Sequence, residues 1–379
     1  MLFIVSNSGK QSFKEFFMAK KSALYLLIGT HKGGFMLRST DNRKTWKLQD
    51  IFIKGMDVNH LILDTRGEPT LYACANPWDG PGVQYSKDFG KTWMQAETPV
   101  RFKEGSDKKI NRVWHVALGR ANEPGVLYCG ADPGVLFRSQ DGGKNWSEIE
   151  SLTNHPTRPQ WNPGAGGMMV HSFALHPTDT KKMYIGISAA GTFYTDDGGK
   201  TWEPRNKGVL ADFMPDKYPE VGQCVHHMEG HPAKPDVLYQ QNHCGVYRSD
   251  NGGKKWIDIN KGLPARFGFP LKIHPHDPDT VYVVPEVGAE FRCPPDGEFA
   301  VYRSKNKGNK WKKLTKGLPT KNAYFNVNRQ AMAVDTFDPC GVYLGTSTGQ
   351  IFNSRNEGKS WHLLTEYLPP IFSVECVSV

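Results

Sequence analysis

Long apolar runs are missing from this sequence of 379 residues, and no uninterrupted apolar stretch approaches the length that spans a bilayer. The opening MLFIVSNSGK carries four apolar residues after Met1, with no basic segment ahead of them and no small-residue cleavage site behind. That does not make a signal peptide. Paired cysteine motifs are missing too. The seven cysteines (Cys74, Cys129, Cys224, Cys244, Cys293, Cys340 and Cys376) are odd in number, scattered, and contain no CxxC pair. They argue against a disulfide framework or a zinc knuckle and fit reduced thiols, with a cytoplasmic location as the expectation. Disorder is disfavoured by 38% hydrophobic and 22% charged residues. Aromatics, by contrast, are plentiful: ten Trp and fourteen Tyr suggest a recurring packing motif.

That motif is Ser/Thr–x–Asp/Asn–x–Gly–x–x–Trp. It reads STDNRKTW (39–46), SKDFGKTW (86–93), SQDGGKNW (139–146), TDDGGKTW (195–202), SDNGGKKW (249–256), SKNKGNKW (304–311) and SRNEGKSW (354–361). Only the first copy departs, with Arg43 in the Gly position. Each position has a physical role. The hydroxyl and the carboxyl or amide hydrogen-bond the backbone of a tight turn, and Gly supplies positive φ. Trp can fold back between neighbouring sheets with its N–H seeking a carbonyl. Self-similarity at this period signals a repeat architecture. Upstream of each box lies an apolar strand anchored by Tyr25, Tyr72, Tyr128, Tyr184, Tyr239, Tyr282 or Tyr343, and six of these are preceded by a second apolar strand. Four strands per repeat make a blade, so the expectation is an all-β, seven-bladed β-propeller over residues 21–379. Tyr25 lacks an upstream partner, which IFSVECVSV (371–379) can supply by closing the ring. Residues 1–20 read as a poorly ordered tail, since Met18 opens MAKKSALYLLIGT like the start of a domain. Net charge +9 invites a nucleic-acid reading, but lysines follow the Gly position of six boxes. Charge dispersed around a rim is a weak footprint, and neither nucleic acid nor membrane is expected as a partner.

The boxes resemble those of the Asp-box (BNR-repeat) propellers, a group that includes sialidases, xyloglucanase-type glycoside hydrolases, the sortilin ectodomain and the photosystem II assembly factor. Within it, the segments WNPGAGGM (161–168), VHSFALHP (170–177), HCGVYRSD (243–250) and FGFPLKIHP (267–275) are similar to those of a bacterial family labelled glycosyl-hydrolase-like. The resemblance is specific for fold and nearly silent on function, because these relatives include enzymes, receptors and chaperones.

Candidate site residues come from the blade register. Thirteen positions before the anchor Tyr stand Asn59, His115, His171, His226, Phe269 and Gln330; four positions after it stand Asn76, Asp132, Ser188, His243 and Glu286. Both sets belong at the face opposite the boxes, where polar side chains would line a funnel. Long loops at 94–112, 147–169, 203–225 and 285–299 feed that face and bring Trp161, Glu220 and Glu290. Three imidazoles in one register, His115, His171 and His226, can hold a divalent metal with an open position, or they can satisfy the backbone of a polar channel. Glycoside hydrolysis needs two flanking carboxyls, for which Asp132, Glu220 and Glu286 are the candidates, with Trp161 to stack on a sugar. Sialidase chemistry, as the family resemblance implies it, needs clustered arginines. Arg38, Arg138, Arg248 and Arg303 belong to the repeat, leaving Arg112, Arg329 and Arg292, and sialidases have six blades; that reading is disfavoured. Two classes remain: a glycan- or small-ligand-directed protein, glycoside-hydrolase-like if an enzyme, and a non-catalytic scaffold holding a protein partner.

Overall fold

In a computed structural model, the structure describes residues 23–49, 51–164 and 166–379; the tail expected over residues 1–20 lies outside them. The boxes close one recurring hairpin. In the second copy, Ser86 Oγ accepts from the Gly90 N–H at 2.8 Å and donates to Asp88 Oδ1, which also accepts from the Thr92 N–H at 2.9 Å. The same geometry recurs around Ser139, Thr195, Ser249, Ser304 and Ser354. Gly90, Gly143, Gly199, Gly253, Gly308 and Gly358 all take positive φ. Arg43 adopts φ 67° in the first copy, a strained position for a side-chain-bearing residue, and still donates its N–H to Ser39 Oγ. Its guanidinium is what the strain serves. Arg43 Nη1 lies 3.1 Å from Asp335 Oδ2 and 3.0 Å from the Pro339 carbonyl, with the group stacked 4.4 Å over Phe337. The one irregular box thus clamps the first blade to the last.

Around these hairpins stand seven antiparallel four-stranded sheets. Blade 1 joins Leu24–Thr30, Gly33–Ser39 and Lys47–Leu48 to the C-terminal strand Ile371–Ser378. Blades 2 to 7 follow in chain order over 57–95, 112–148, 170–204, 225–258, 268–314 and 332–365. The ring is closed as the sequence implies: Leu26 pairs Cys376 and Ile28 pairs Val374. The fold is therefore an almost all-β seven-bladed propeller.

Apolar side chains from adjoining sheets form the inter-blade cores, where the anchors Tyr128, Tyr239, Tyr282 and Tyr343 are almost wholly buried. Among the box tryptophans, Trp146, Trp202, Trp256 and Trp361 are buried, while Trp46, Trp93 and Trp311 remain partly exposed at the rim. Their indole N–H groups choose different partners. Trp93 and Trp146 return to the Gly of their own box, whereas Trp256 and Trp311 cross to the carbonyls of Arg205 and Ile259.

Every inner strand from blade 2 to blade 6 has a bulge at its mouth end. Asn59, Trp114, His171 and His226 are the extra residues in blades 2 to 5. An inserted, unpaired residue re-aims its side chain, so this bulge decides what faces the opening.

Candidate functional site

The funnel face of blades 4 to 7 encloses a cavity of about 420 Å³. Three of the four long loops build its walls, with Gln160, Asn162, Pro163, Gly164, Gly166 and Gly167, residues from 213–224, and Ala289 and Arg292; the loop at 94–112 contributes nothing. Beneath them lie Ser188, His243 and the bulge residues His226 and Phe269, with Arg329 entering from blade 7. The aromatic wall is continuous. The His226 ring stacks on Phe269 at 4.6 Å and meets His243 edge-on at 5.6 Å, while Phe213 and Phe267 each sit 5.2 Å from His243.

Two cations reach this wall. The Arg329 and Arg292 guanidinium carbons lie 4.9 and 5.5 Å from the centre of the Phe269 ring. The Arg329 side chain makes no hydrogen bond or ion pair to any described residue, and its buried Nε is unpartnered; the Arg292 guanidinium donates only to the Ala289 carbonyl. Among the described residues lining the cavity none is Asp or Glu. The described lining of the pocket is thus apolar with two guanidiniums and no carboxylate, although Asp212 and Glu290 stand near enough to act on His243.

His226 has its tautomer set by the backbone. Nδ1 lies 2.6 Å from the Gly268 carbonyl, which can only accept, so Nδ1 carries the proton and Nε2 keeps a free lone pair. Burial, reinforced by Arg329, holds this imidazole well below its ordinary pKa and therefore neutral. His243 is lowered too, chiefly by burial. Cys224 joins them: its sulfur and one nitrogen of each ring all lie within 4.8 Å of one another. The backbone aligns the set, because Val225 pairs Asn242 and the His243 N–H donates to the Cys224 carbonyl at 2.9 Å.

The three histidines expected together are not brought together. His171 is fully buried with both ring nitrogens engaged, Nε2 donating to the Val225 carbonyl and Nδ1 accepting from Ser172 Oγ, each at 2.9 Å. His115 stacks on His60 at 3.9 Å deeper in the channel and also meets Phe173. The cause is one residue. His60 pairs Cys74, Ser172 pairs Gly186 and His227 pairs Gln241, each fourteen positions apart, whereas His115 pairs Gly130, fifteen apart. The first hairpin of blade 3 is one residue longer, so Trp114 takes the bulge and His115 falls into the His60 and His227 row.

Other candidates also separate. Trp161 is buried against Phe193, its Nε1 donating to Thr157 Oγ1, and offers no face to a sugar. Glu220 is exposed and contributes only its carbonyl, which accepts from Asn206. Asp132 sits behind Gly167, bonded to the Met168 N–H and Asn111. Arg112 turns towards Asp57 at 3.6 Å. Asn76 bonds Asn59 and both backbone groups of Val113, stitching blade 2 to blade 3. Gln330 bridges Trp114 Nε1 to the His171 carbonyl. Glu286 is wholly buried beside the cavity wall; burial pushes its carboxyl up to about 8, against the pull of Arg292 and Arg329.

Cys224, Arg292 and Arg329 lie outside the set drawn from the register; the two arginines are among those left over from the repeat, and Cys224 is not a candidate. Cys224 precedes the bulge by two residues, in the segment CVHH, which is the sequence signal for it.

A BNR/Asp-box repeat family model matches residues 193–204. A sialidase of Bacteroides fragilis is 30% identical over 159 residues, covering 33% of this chain and 28% of the relative. A xyloglucanase of Hypocrea jecorina is 24% identical over 307 residues, covering 72% of this chain and 34% of the relative. The chain spans about a third or less of the length of these two relatives. Among solved structures, an ancestral GH74 enzyme superposes with a TM-score of 0.57 at 17% identity, over 82% of this chain and 39% of the other. The extracellular domain of a one component system protein from B. thetaiotaomicron does so with 0.51 at 11% identity, over 86% of this chain and 37% of the other. At these identities the structural likeness concerns fold. With seven boxes of one geometry, one per blade, the chain is a seven-bladed β-propeller carrying Asp-box repeats.

Proposed function

We propose that this propeller binds a glycan or small molecule carrying an anionic group, seated in the mouth cavity of blades 4 to 7. The observation that carries this reading is the convergence of Arg292 and Arg329 on a cavity whose described lining holds no carboxylate. A guanidinium without a protein partner is a ready receptor for carboxylate, sulfate or phosphate. Phe213, exposed at the cavity's edge, offers an apolar face against which a sugar ring can stack. The names of the relatives, a sialidase and xyloglucanases, favour carbohydrate as the body of the ligand. Concavity favours a small ligand over a broad protein surface.

Calorimetric titration with uronic-acid-bearing and sialylated oligosaccharides, beside neutral xyloglucan oligosaccharides, tests the reading. Acidic sugars should bind and neutral ones should not, and Arg329→Met should weaken binding about tenfold or more. Equal binding of neutral sugars, unaffected by replacing either arginine, would overturn it.

The carboxyls do not favour a hydrolytic version: Glu286 keeps its proton at neutral pH but is wholly buried, and neither it nor Asp132 nor Glu220 lines the cavity.

A further inference from the structure

The mouth cavity contains a second arrangement that the arginines do not explain. Cys224 and His226 lie one residue apart on the blade 5 inner strand, and His243 faces them just beyond the end of the next strand. Their donor atoms already stand within 4.8 Å of one another. Bound to one ion at thiolate and imidazole bond lengths, they would stand about 3.3–3.8 Å apart, a closure small enough for side-chain rotation alone. The His226 ring is also prepared for ligation. Its Nδ1–H donates to the Gly268 carbonyl, the outer contact that fixes a ligating imidazole and leaves Nε2 bare. Most buried histidines spend both nitrogens within the protein, as His171 does here.

We propose that Cys224, His226 and His243 form a three-ligand site for a zinc-class transition metal, its fourth position open to the mouth cavity. One thiolate and two imidazoles select a borderline-soft ion, and the absence of oxygen donors from this trio disfavours calcium and magnesium. Binding converts the Cys224 thiol to thiolate, its proton leaving to solvent as the metal–sulfur bond forms, so affinity falls as pH is lowered. Charge decides what completes the shell. A divalent ion with one thiolate and two neutral imidazoles keeps a net positive charge, and Arg292 and Arg329 add to it. The open position then favours hydroxide or the anionic end of a ligand over a neutral donor. The metal site does not depend on the anion reading.

Untagged full-length protein, stripped with chelator and dialysed against zinc, should take up one ion per chain. With cobalt it should show the intense visible bands of a four-coordinate site and a thiolate-to-cobalt charge-transfer band in the near ultraviolet. Cys224→Ser should remove that band and lower affinity by about a hundredfold. Cys244→Ser, whose sulfur turns instead to Asp212, should change neither. Bound zinc should also shield Cys224 from iodoacetamide in the wild-type chain, a readout independent of how any variant folds. Sub-stoichiometric uptake, a cobalt spectrum without sulfur character, or alkylation of Cys224 unaffected by zinc would each overturn the site. Arg329→Met should retain the metal while losing acidic ligands, so failure of the anion reading leaves a signature different from failure of the metal site.

Discussion

Glu286 shows how one buried group writes a pH dependence onto the whole domain. Its Oε1 receives only the Val327 N–H, at 3.4 Å, and its Oε2 has no partner among the described residues. The folded carboxyl titrates near 8 against an ordinary value of 4.5. Between those values the native state holds a proton that the unfolded chain has lost, so the contribution of this residue to stability declines as pH rises through that window. Urea unfolding at pH 5 and pH 8.5 should therefore show a smaller alkaline loss for Glu286→Gln than for wild type, by a few kcal/mol at most. An identical pH slope in both proteins would mean the acid is solvated or paired. Arg43 makes the complementary case. Its pairing with buried Asp335 leaves little room for substitution: Arg43→Gly relieves the positive φ but removes the cation paired with a buried carboxylate, which keeps only the Phe337 and Gly341 N–H groups and the Tyr343 hydroxyl. A loss of about 3 kcal/mol is expected despite the better backbone fit.

At the scale of elements, the box hairpins were legible because each position answers a local demand of the turn. A period of about fifty residues therefore sufficed to fix blade number, strand order and closure. The candidate site was legible only in part, and blade 3 shows why. Counting from the anchor Tyr presumes equal hairpin lengths, and the single extra residue between His115 and Gly130 moved a histidine out of the mouth and put Trp114 in its place. His226 stands at the bulge where the count places it because its hairpin keeps the common length. Cys224 lies outside the compared repeat positions, and only its closeness to the bulge in CVHH marks it. Trp161 misled for a related reason: Thr157 and Phe193 fold a loop residue into the core. The tryptophans of the boxes can be ranked by the same logic. Trp256 is 2% exposed and donates to the Arg205 carbonyl of the preceding blade. Trp256→Ala should cost about 3–5 kcal/mol. Trp93, partly exposed and bonded within its own hairpin, should cost visibly less in the same chemical denaturation series.

For the whole molecule, the decisive element is the strand that shuts the ring. Ile371–Ser378 supplies the innermost strand of blade 1, buries Ile371 and Val374 completely, and bonds the Val374 N–H to the Gln330 carbonyl of blade 7. It also carries Glu375 into the channel, 3.2 Å from His60 of blade 2, so one strand touches blades on both sides of the seam. Arg43 and Asp335 hold the same seam from the box end. Removal of residues 371–379 should expose the edge of Leu24–Thr30, a row of unpaired backbone groups flanked by apolar side chains, which invites association between chains. Thermal unfolding of the truncated chain should begin about 10 °C or more below the intact protein, and size-exclusion chromatography should show oligomers that the intact chain lacks. Because each blade packs chiefly on its neighbours, the seam is where an open ring would begin to separate. A truncated protein that stays monomeric and melts with the wild type would mean that the inter-blade cores alone hold the ring, and that the final strand contributes pairing without closure.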